Sequence, residues 1–305
     1  MFRWAGLLLV VGWTFSRSIV MAQPSSRPTT RPSSASQPPP SITIEKRSKL
    51  VFHRIVQKAQ RAGWQALPIG QLLGQVAKEF LGTPYKGGTL ESSDGKERCT
   101  VNLVALDCVT LFENSLAIAR VIKKQKMTWG ALIKEVTYLR YRKGRLSGYV
   151  SRLHYMTEWL EDNRQKTVIQ KLTKKLGGAL KTKSIHFMSK HARAYKALRH
   201  DPKLVSAITK IERRISRLPF YYVPTAKLAS IEKHLRTGDL VFMASITKGL
   251  DYGHTGLIVV DTKGLARFLH ASPHDKKVVL DKPLHQAAQA YKRLLGMSFA
   301  RPLTP

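Results

Sequence analysis

The apolar residues of this 305-residue chain have a helical period in its first part and a strand-like period near its end. Across residues 69–81 (IGQLLGQVAKEFL) they recur at helical spacing, and GTPYKGG then ends the pattern. A second helical stripe follows Asp107, whose side chain is suited to cap a helix N-terminus. Residues from about 128 to 217 are lysine-rich and mostly helical by pattern. The first part of the chain therefore predicts helices.

The last part of the chain changes to short apolar runs separated by turn residues. These β-branched or aromatic runs are residues 238–245, 254–260, 266–272 and 277–281. They predict an antiparallel sheet. Helices followed by strands favour an α+β fold over alternating βαβ units.

The N-terminal segment predicts a secretory signal rather than a part of the fold. Residues 1–22 combine a basic start, an apolar stretch and small residues before Ala22, after which we expect cleavage. An uncleaved membrane anchor is the alternative, but Arg17 interrupts the apolar run. Residues 23–41 are rich in Pro and Ser and predict an extended linker. The folded domain should then cover residues 42–305.

Positive charge is concentrated in the middle of the chain. The formal net charge is +33, and loss of Arg3 and Arg17 with the signal leaves +31. Residues 121–217 hold 25 Lys and Arg against 6 Asp and Glu, a net charge of +19. Nucleic acid is one partner for such a surface, but export argues against it. Anionic envelope polymers are the expected alternative, and a surface that only keeps the protein soluble is another.

Cys108 has three interpretations. It can be a buried core residue, half of a disulfide with Cys99, or a nucleophile. If Asp107 caps the helix, Cys108 is the first helical residue, where free backbone N–H groups and the helix dipole favour a thiolate. A nucleophilic thiol also needs a base and a group that orients this base.

Two histidines are candidates for these tasks. His254 opens one predicted strand and His270 lies near the end of the next. If the strands pair through the turn at residues 261–264, the two imidazoles become neighbours. Taken singly, each histidine is better explained by a surface or core position.

Several separated motifs resemble one family. They are FLGTPYKGG, LDCVTLFENSLAIAR, YRKGRLSGYVSRLHYMTEWLEDN, IHFMSKHARAY, GDLVFMASITKGLDYGHTGLIVV, FLHASPHDKKVVL and FARP. Together they cover residues 69–302 and resemble the N-acetylmuramoyl-L-alanine amidase-like domain family of bacterial cell-wall enzymes. This family lies within the NlpC-type papain-like cysteine peptidase superfamily.

The resemblance implies a papain-like α+β fold, with a basic helical insertion at about 121–235 between the catalytic Cys and His. It implies that Cys108 is the nucleophile, His254 the general base and His270 the residue that orients it. Tyr85 would line the site, and Asp107 would contact a substrate amine, although its role as a helix cap explains it equally well. No metal or other cofactor is expected, since the chain lacks metal-ligand spacing.

The function that the resemblance implies is hydrolysis of an amide bond in peptidoglycan stem peptides. The N-acetylmuramoyl-L-alanine amide is the expected bond, and the γ-D-glutamyl-diamino acid bond is the alternative. Acyl transfer to an amine and a non-enzymatic envelope-binding role are further alternatives. The expected location is the periplasm or the exterior, without a membrane span once the signal is removed.

Overall fold

An antiparallel sheet with helices on both faces forms the framework of residues 43–91 and 96–305, which the computed structural model describes. The strands are β1 (Ile169–Lys171), β2 (Ala179–Lys181), β3 (Phe220–Pro224), β4 (Leu240–Ser245), β5 (Tyr252–Val260), β6 (Ala266–Ser272), β7 (Lys277–Pro283) and β8 (Leu294–Pro302). The helices are α1 (Ile44–Arg61), α2 (Ile69–Lys78), α3 (Cys108–Lys123), α4 (Trp129–Arg140), α5 (Met156–Gln165), α6 (Phe187–Lys190), α7 (Pro202–Ile215), α8 (Leu228–Ile231) and α9 (Leu284–Ala288). The predicted α+β class and antiparallel sheet are confirmed.

The strand order is β2-β3-β8-β4-β5-β6-β7, and β1 also pairs with β8. Every one of these pairs is antiparallel. One edge of β8 pairs with β4, while its other edge pairs with β3 and then with β1. Strands β5, β6 and β7 therefore form a meander at one side of the sheet.

The continuous apolar run of β4 is explained by burial on both faces of the sheet. Leu240, Phe242 and Ala244 face the core that contains the apolar residues of α1 to α5. Val241 and Met243 alternate with them and face a second core, formed with α8 and α9. A strand covered on both faces has no polar side, so its sequence does not alternate.

Helix α3 lies at the centre of the helical layer. All its residues from Thr110 to Ile122 are buried. Its buried carboxylate, Glu113, accepts hydrogen bonds from Nε of Arg140 on α4 at 2.7 Å and from Nε1 of Trp159 on α5 at 2.9 Å. Because buried charges need such partners, these contacts hold the helix that begins at Cys108 in one position.

The helical part of the chain differs from the sequence prediction at two places. Helix α1 was not predicted, although its apolar residues pack into the main core. The helix expected over residues 69–81 ends at Lys78, and a turn follows it. Gly82 has a φ of +80°, and its N–H donates to the carbonyl of Val278 on β7 at 2.9 Å. This bond draws the chain away from the helix axis.

The segment 121–235, which was expected to be a mostly helical insertion, also contains strands. It contains β1, β2 and β3, and through them it adds strands to the sheet. Strand β8, which was not predicted as a strand, supplies the pairing edge that β1 and β3 require. The sheet is thus built from both the middle and the end of the chain, because short strands become stable only when a longer neighbour satisfies their backbone groups.

The predicted signal at 1–22 and the linker at 23–41 lie outside the described residues. Within the described ranges, none of the helices is both long enough and apolar enough to cross a bilayer.

Candidate active site

Cys108 is the first residue of α3, and Asp107 is its N-cap. The Asp107 Oδ1 accepts a hydrogen bond from the Thr110 backbone N–H at 2.8 Å, while the Asp107 N–H donates to the Thr110 hydroxyl at 2.9 Å. These reciprocal bonds form a capping box with threonine in place of the usual Glu or Gln. The predicted cap is confirmed, and Cys108 is half-buried.

The loop that contains Tyr85 is attached to the residues just before Cys108. The N–H of Lys86 donates to the carbonyl of Leu106 at 2.9 Å, and the N–H of Leu106 donates to Pro84 at the same distance. On its other side, the Tyr85 N–H donates to the carbonyl of Lys276 at 2.8 Å. Burial and the proximity of Cys108 and Asp107 raise the pKa of the Tyr85 hydroxyl. Tyr85 is therefore a neutral hydrogen-bond donor beside the thiol.

His254 and His270 come together on the hairpin of β5 and β6. Nε2 of His254 lies 2.9 Å from Nδ1 of His270, with the two ring planes nearly perpendicular. Both side chains are buried. The next residue on β5, Thr255, donates from its hydroxyl to the Cys108 carbonyl at 3.0 Å, which joins the hairpin to the first turn of α3. The expected proximity of the two imidazoles is confirmed.

Gly256 makes this approach of the two strands possible. An ideal Cβ at this position would lie 2.5 Å from the Leu269 carbonyl oxygen and 2.9 Å from Cβ of His270. No side chain fits at such distances. The glycine two residues after His254 thus allows His270 to reach the first imidazole.

Asp281 extends the pair of histidines, and the sequence did not identify it. Its Oδ2 lies 3.7 Å from Nε2 of His270, a buried nitrogen without a hydrogen-bond partner among the described residues. Interaction with His270 holds the pKa of the Asp281 carboxyl below its usual value, so Asp281 is ionised near neutral pH. The only signal in the sequence was a carboxylate at the end of the strand after His270.

Tyr291 is a second residue of the site that sequence reasoning missed. Its ring stacks on His254, with centroids 5.6 Å apart and an interplanar angle of 24°. Burial, followed by the nearby Asp281 and Cys108, raises the pKa of its hydroxyl. Two tyrosines, Tyr85 and Tyr291, therefore lie close to the thiol of Cys108.

The electrostatics differ from the expectation of a free thiolate. Burial and the Asp107 carboxylate raise the pKa of the Cys108 thiol to about 12, despite its place at the helix N-terminus. Burial and the adjacent His270 lower the pKa of His254 well below its usual value of 6.5. Desolvation outweighs the helix dipole, so the resting pair is a neutral thiol and a neutral imidazole.

Cys99 and Cys108 are free thiols, so the disulfide interpretation does not hold in this structure. The Cys99 thiol contacts the carbonyl of Ile133 at 3.8 Å instead. No group of three or more His, Cys, Asp or Glu is placed to hold a metal ion within residues 43–91 and 96–305.

Several solved structures are similar to this chain. Two crystal structures of an N-acetylmuramoyl-L-alanine amidase from Bacteroides uniformis ATCC 8492 are 31% and 32% identical to the chain. Each match covers 77% of this chain and 99% or 98% of the other, with a TM-score of 0.72. A Bacteroides fragilis protein described as a candidate xylanase is 32% identical over 74% of this chain and 98% of its own, with a TM-score of 0.69.

A protein from Legionella pneumophila str. Philadelphia 1 has the same fold at a TM-score of 0.63 and 17% identity, over 85% of this chain and 96% of its own. A search of curated proteins found no match. Residues 75–294 match the AmiA-like family model, which is described as N-acetylmuramoyl-L-alanine amidase-like. The chain therefore belongs to the N-acetylmuramoyl-L-alanine amidase-like family.

Proposed function

We propose that this protein is a peptidoglycan amidase that uses Cys108 as its nucleophile. The observation that carries the proposal is the junction of α3 with the β5–β6 hairpin. There the Thr255 hydroxyl, next to His254 on β5, donates to the Cys108 carbonyl and so joins a cysteine at a helix N-terminus to the strand of a buried, hydrogen-bonded pair of imidazoles. A thiol, a base and a group that orients the base are the parts that thiol-dependent acyl transfer requires.

The hydrogen bond between the histidines sets the protonation states. His254 can accept a proton from Cys108 on Nδ1 only if its own proton is on Nε2. That proton is then donated to Nδ1 of His270 at 2.9 Å, and His270 must carry its proton on Nε2, which faces Asp281. The two histidines and Asp281 thus form one chain that stabilises the imidazolium of His254 during the reaction.

The reaction begins with a neutral pair. As Sγ of Cys108 attacks the amide carbonyl carbon, His254 takes the thiol proton, because neither a free thiolate nor a stable imidazolium is favoured beforehand. His254 then gives this proton to the leaving nitrogen when the C–N bond breaks, and a thioester remains. Water, deprotonated by His254, attacks the thioester, releases the acid and returns the proton to the sulfur.

The developing oxyanion needs donors that already point at it. Candidates are the backbone N–H of Cys108, at the start of α3, and the hydroxyl of Tyr85. Asp107 is engaged in the capping box, so its proposed contact with a substrate amine would use the carboxylate oxygen that Thr110 does not occupy.

We propose the bond between the muramic acid lactyl group and L-Ala as the scissile amide. The amidases from Bacteroides uniformis carry this activity in their name, and the family description agrees with it. The γ-D-glutamyl-diamino acid bond remains the second candidate, because it is the commoner substrate of the NlpC-type papain-like superfamily to which we assign the chain. Residues 1–22 would direct export to the envelope, and the basic segment 121–217 would meet anionic polymers there.

The description of the Bacteroides fragilis relative raises glycoside hydrolysis as another reaction. Glycoside hydrolysis needs two free carboxyl groups that flank the scissile bond. Near Cys108, Asp107 is committed to the helix cap and Asp281 lies against His270. These commitments favour thiol chemistry.

The test is digestion of purified peptidoglycan, followed by mass spectrometry of the released fragments. We expect wild-type protein to release stem peptides with free L-Ala N-termini. Cys108→Ala should lower the rate by about a thousandfold or more, while the matched variant Cys99→Ala should keep it. Free diamino acid N-termini would assign the endopeptidase instead. Unchanged release by Cys108→Ala would refute the proposal.

A further inference from the structure

A cavity of about 520 Å³ lies at the C-terminal end of α3, at the opposite end of this helix from the thiol. Cationic side chains from three parts of the chain meet there: Arg120 of α3 with its C-cap Lys124, Lys134 of α4, and Lys166 just after α5. Glu135 is the acidic side chain that lines it. Arg120 follows Cys108 by twelve positions, which places the cavity about 18 Å along the helix from the proposed nucleophile.

Arg120 is the central feature of this cavity. Its side chain is 4% exposed, and its Nε is paired with Oε1 of Glu135. The other oxygen of Glu135 accepts a hydrogen bond from Lys124 at 2.7 Å. Nη1 of Arg120, by contrast, is buried without a hydrogen-bond partner among the described residues. A buried guanidinium N–H without an acceptor is costly, which favours an anion at this position.

The remaining cations are not explained by α3 alone. A helix C-terminus attracts positive side chains, which accounts for Arg120 and Lys124. It does not account for the exposed Lys134. Lys166 has its own partners, since it pairs with Asp162 at 2.5 Å and donates to the Tyr138 carbonyl, although burial lowers its pKa. Four cations thus share two carboxylates, Glu135 and Asp162, and an anion would offset the remaining positive charge.

The wall of the cavity has two further features. The Tyr138 ring lies between two of the cations, 6.0 Å from Cζ of Arg120 and 5.0 Å from Nζ of Lys166. Thr167, at the cavity, has a φ of +58°. A β-branched residue rarely adopts this left-handed conformation, and such strain is typical of functional positions.

We propose that this cavity binds a phosphate group. A tetrahedral oxyanion can accept hydrogen bonds from the guanidinium of Arg120 and from several lysines at once, which a planar carboxylate does less completely. The binding is separate from hydrolysis at Cys108 and does not depend on the proposed amidase activity. It would attach the protein to a phosphate-bearing ligand while leaving the cleft free.

The test is calorimetric titration of the full chain with inorganic phosphate at low ionic strength. We expect saturable binding by wild-type protein and a roughly tenfold or greater loss of affinity in Lys134→Gln, an exposed substitution. Arg120→Lys keeps the charge and a donor for Glu135 but removes the planar fork, and should weaken binding by a similar factor. A parallel titration with glycerol phosphate distinguishes the sources, since tighter binding of the ester identifies an esterified phosphate as the ligand.

Matched controls come from a second basic cavity, lined by Lys175, Lys233 and Arg301. The double variant Lys175→Gln/Lys233→Gln removes more charge than Lys134→Gln but lies elsewhere, so it should bind phosphate as wild-type protein does. Three results would overturn the proposal: an equal loss of affinity in this control, no saturable binding of phosphate, or acetate binding as tight as that of phosphate.

Discussion

Nε2 of His254 and Nδ1 of His270 are 2.9 Å apart in a buried environment, and the far nitrogen of His270 faces Asp281. A hydrogen bond between two imidazoles has a direction, because one ring must donate and the other must accept. The carboxylate next to Nε2 of His270 favours a proton there, which makes Nδ1 of His270 the acceptor. His254 must therefore donate from Nε2 to His270, which leaves Nδ1 of His254 as the nitrogen that can act as a base.

Asp281→Asn tests this chain of protons. Loss of the negative charge should lower kcat roughly tenfold while KM changes little, because the imidazolium of His254 loses support only during the reaction. The acid limb of kcat/KM should also move to lower pH, since a cation without its counter-charge loses its proton more readily. Asp275→Asn is the matched control, because that carboxylate also lies near His270 but is bound to the Ser272 hydroxyl at 2.6 Å. Equal effects of both variants would contradict a specific role for Asp281.

The neutral state of Cys108 predicts slow alkylation at neutral pH. With its pKa raised to about 12, the thiol should react with iodoacetamide at a rate that increases about tenfold per pH unit from pH 7 to 10. Labelled peptides identified by mass spectrometry separate Cys108 from Cys99. The Asp107→Asn variant should react faster at each pH, because the carboxylate contributes to the raised pKa. A plateau of the wild-type rate below pH 8 would instead indicate a thiolate paired with imidazolium.

The low pKa of His254 predicts that activity persists in mild acid. The base must be neutral, and its pKa lies well below 6.5, so kcat/KM should stay constant from pH 8 to below 6.5. The free energy of unfolding should also depend on the protonation of His254. Below pH 6.5 the unfolded chain binds a proton that the folded site resists, so His254 contributes a loss of stability as the pH falls towards its folded pKa. Half-maximal kcat/KM at pH 7 or above would show that another base operates.

Parts of the site were predictable because their signals are local. The cap by Asp107 depends on residues within one helical turn, and the hairpin of His254 and His270 depends on two adjacent strands joined by a short turn. In both cases the physical cause lies within a few residues of the motif. The resemblance to the family added roles to these positions, and Tyr85 was identified only through it.

Other parts depend on contacts between distant segments. Tyr291 reaches His254 from the loop before β8, and no pattern in its neighbourhood indicates a stacked imidazole. The apolar residues of α1 follow a Pro- and Ser-rich segment and become buried only by packing into the main core, which distant helices complete. The protonation state of Cys108 depends most on burial. Its position at the helix N-terminus alone favoured a thiolate, whereas burial by the surrounding protein favours the neutral thiol.

Gly256→Ala should damage the site through packing. The added Cβ would meet the Leu269 carbonyl and Cβ of His270 at distances that force β6 away, which costs about 1–3 kcal/mol of unfolding free energy. Since His270 moves with β6, activity should fall as well. Gly253→Ala in the same strand is the control, because its Cβ would make only an ordinary contact with Cβ of Ser245 at 3.8 Å. Denaturant unfolding and peptidoglycan digestion measure the two effects. Equal stability of the two variants would show that β5 and β6 can separate without cost.

Asp107 has two possible roles, and two substitutions separate them. As a helix cap it should tolerate Asn, which is an equally good N-cap residue, whereas Asp107→Ala should lose about 1 kcal/mol of unfolding free energy. The geometry favours the cap, because Oδ1 accepts hydrogen bonds from both the N–H and the hydroxyl of Thr110, at 2.8 and 2.9 Å. We therefore expect Asp107→Asn to keep the stability and the KM of the wild-type protein, measured by denaturant unfolding and by digestion of purified stem peptide. A stable Asp107→Asn variant whose KM is raised about tenfold or more would assign the charge to a substrate amine, since the loss of an ion pair with the substrate weakens binding without affecting the helix.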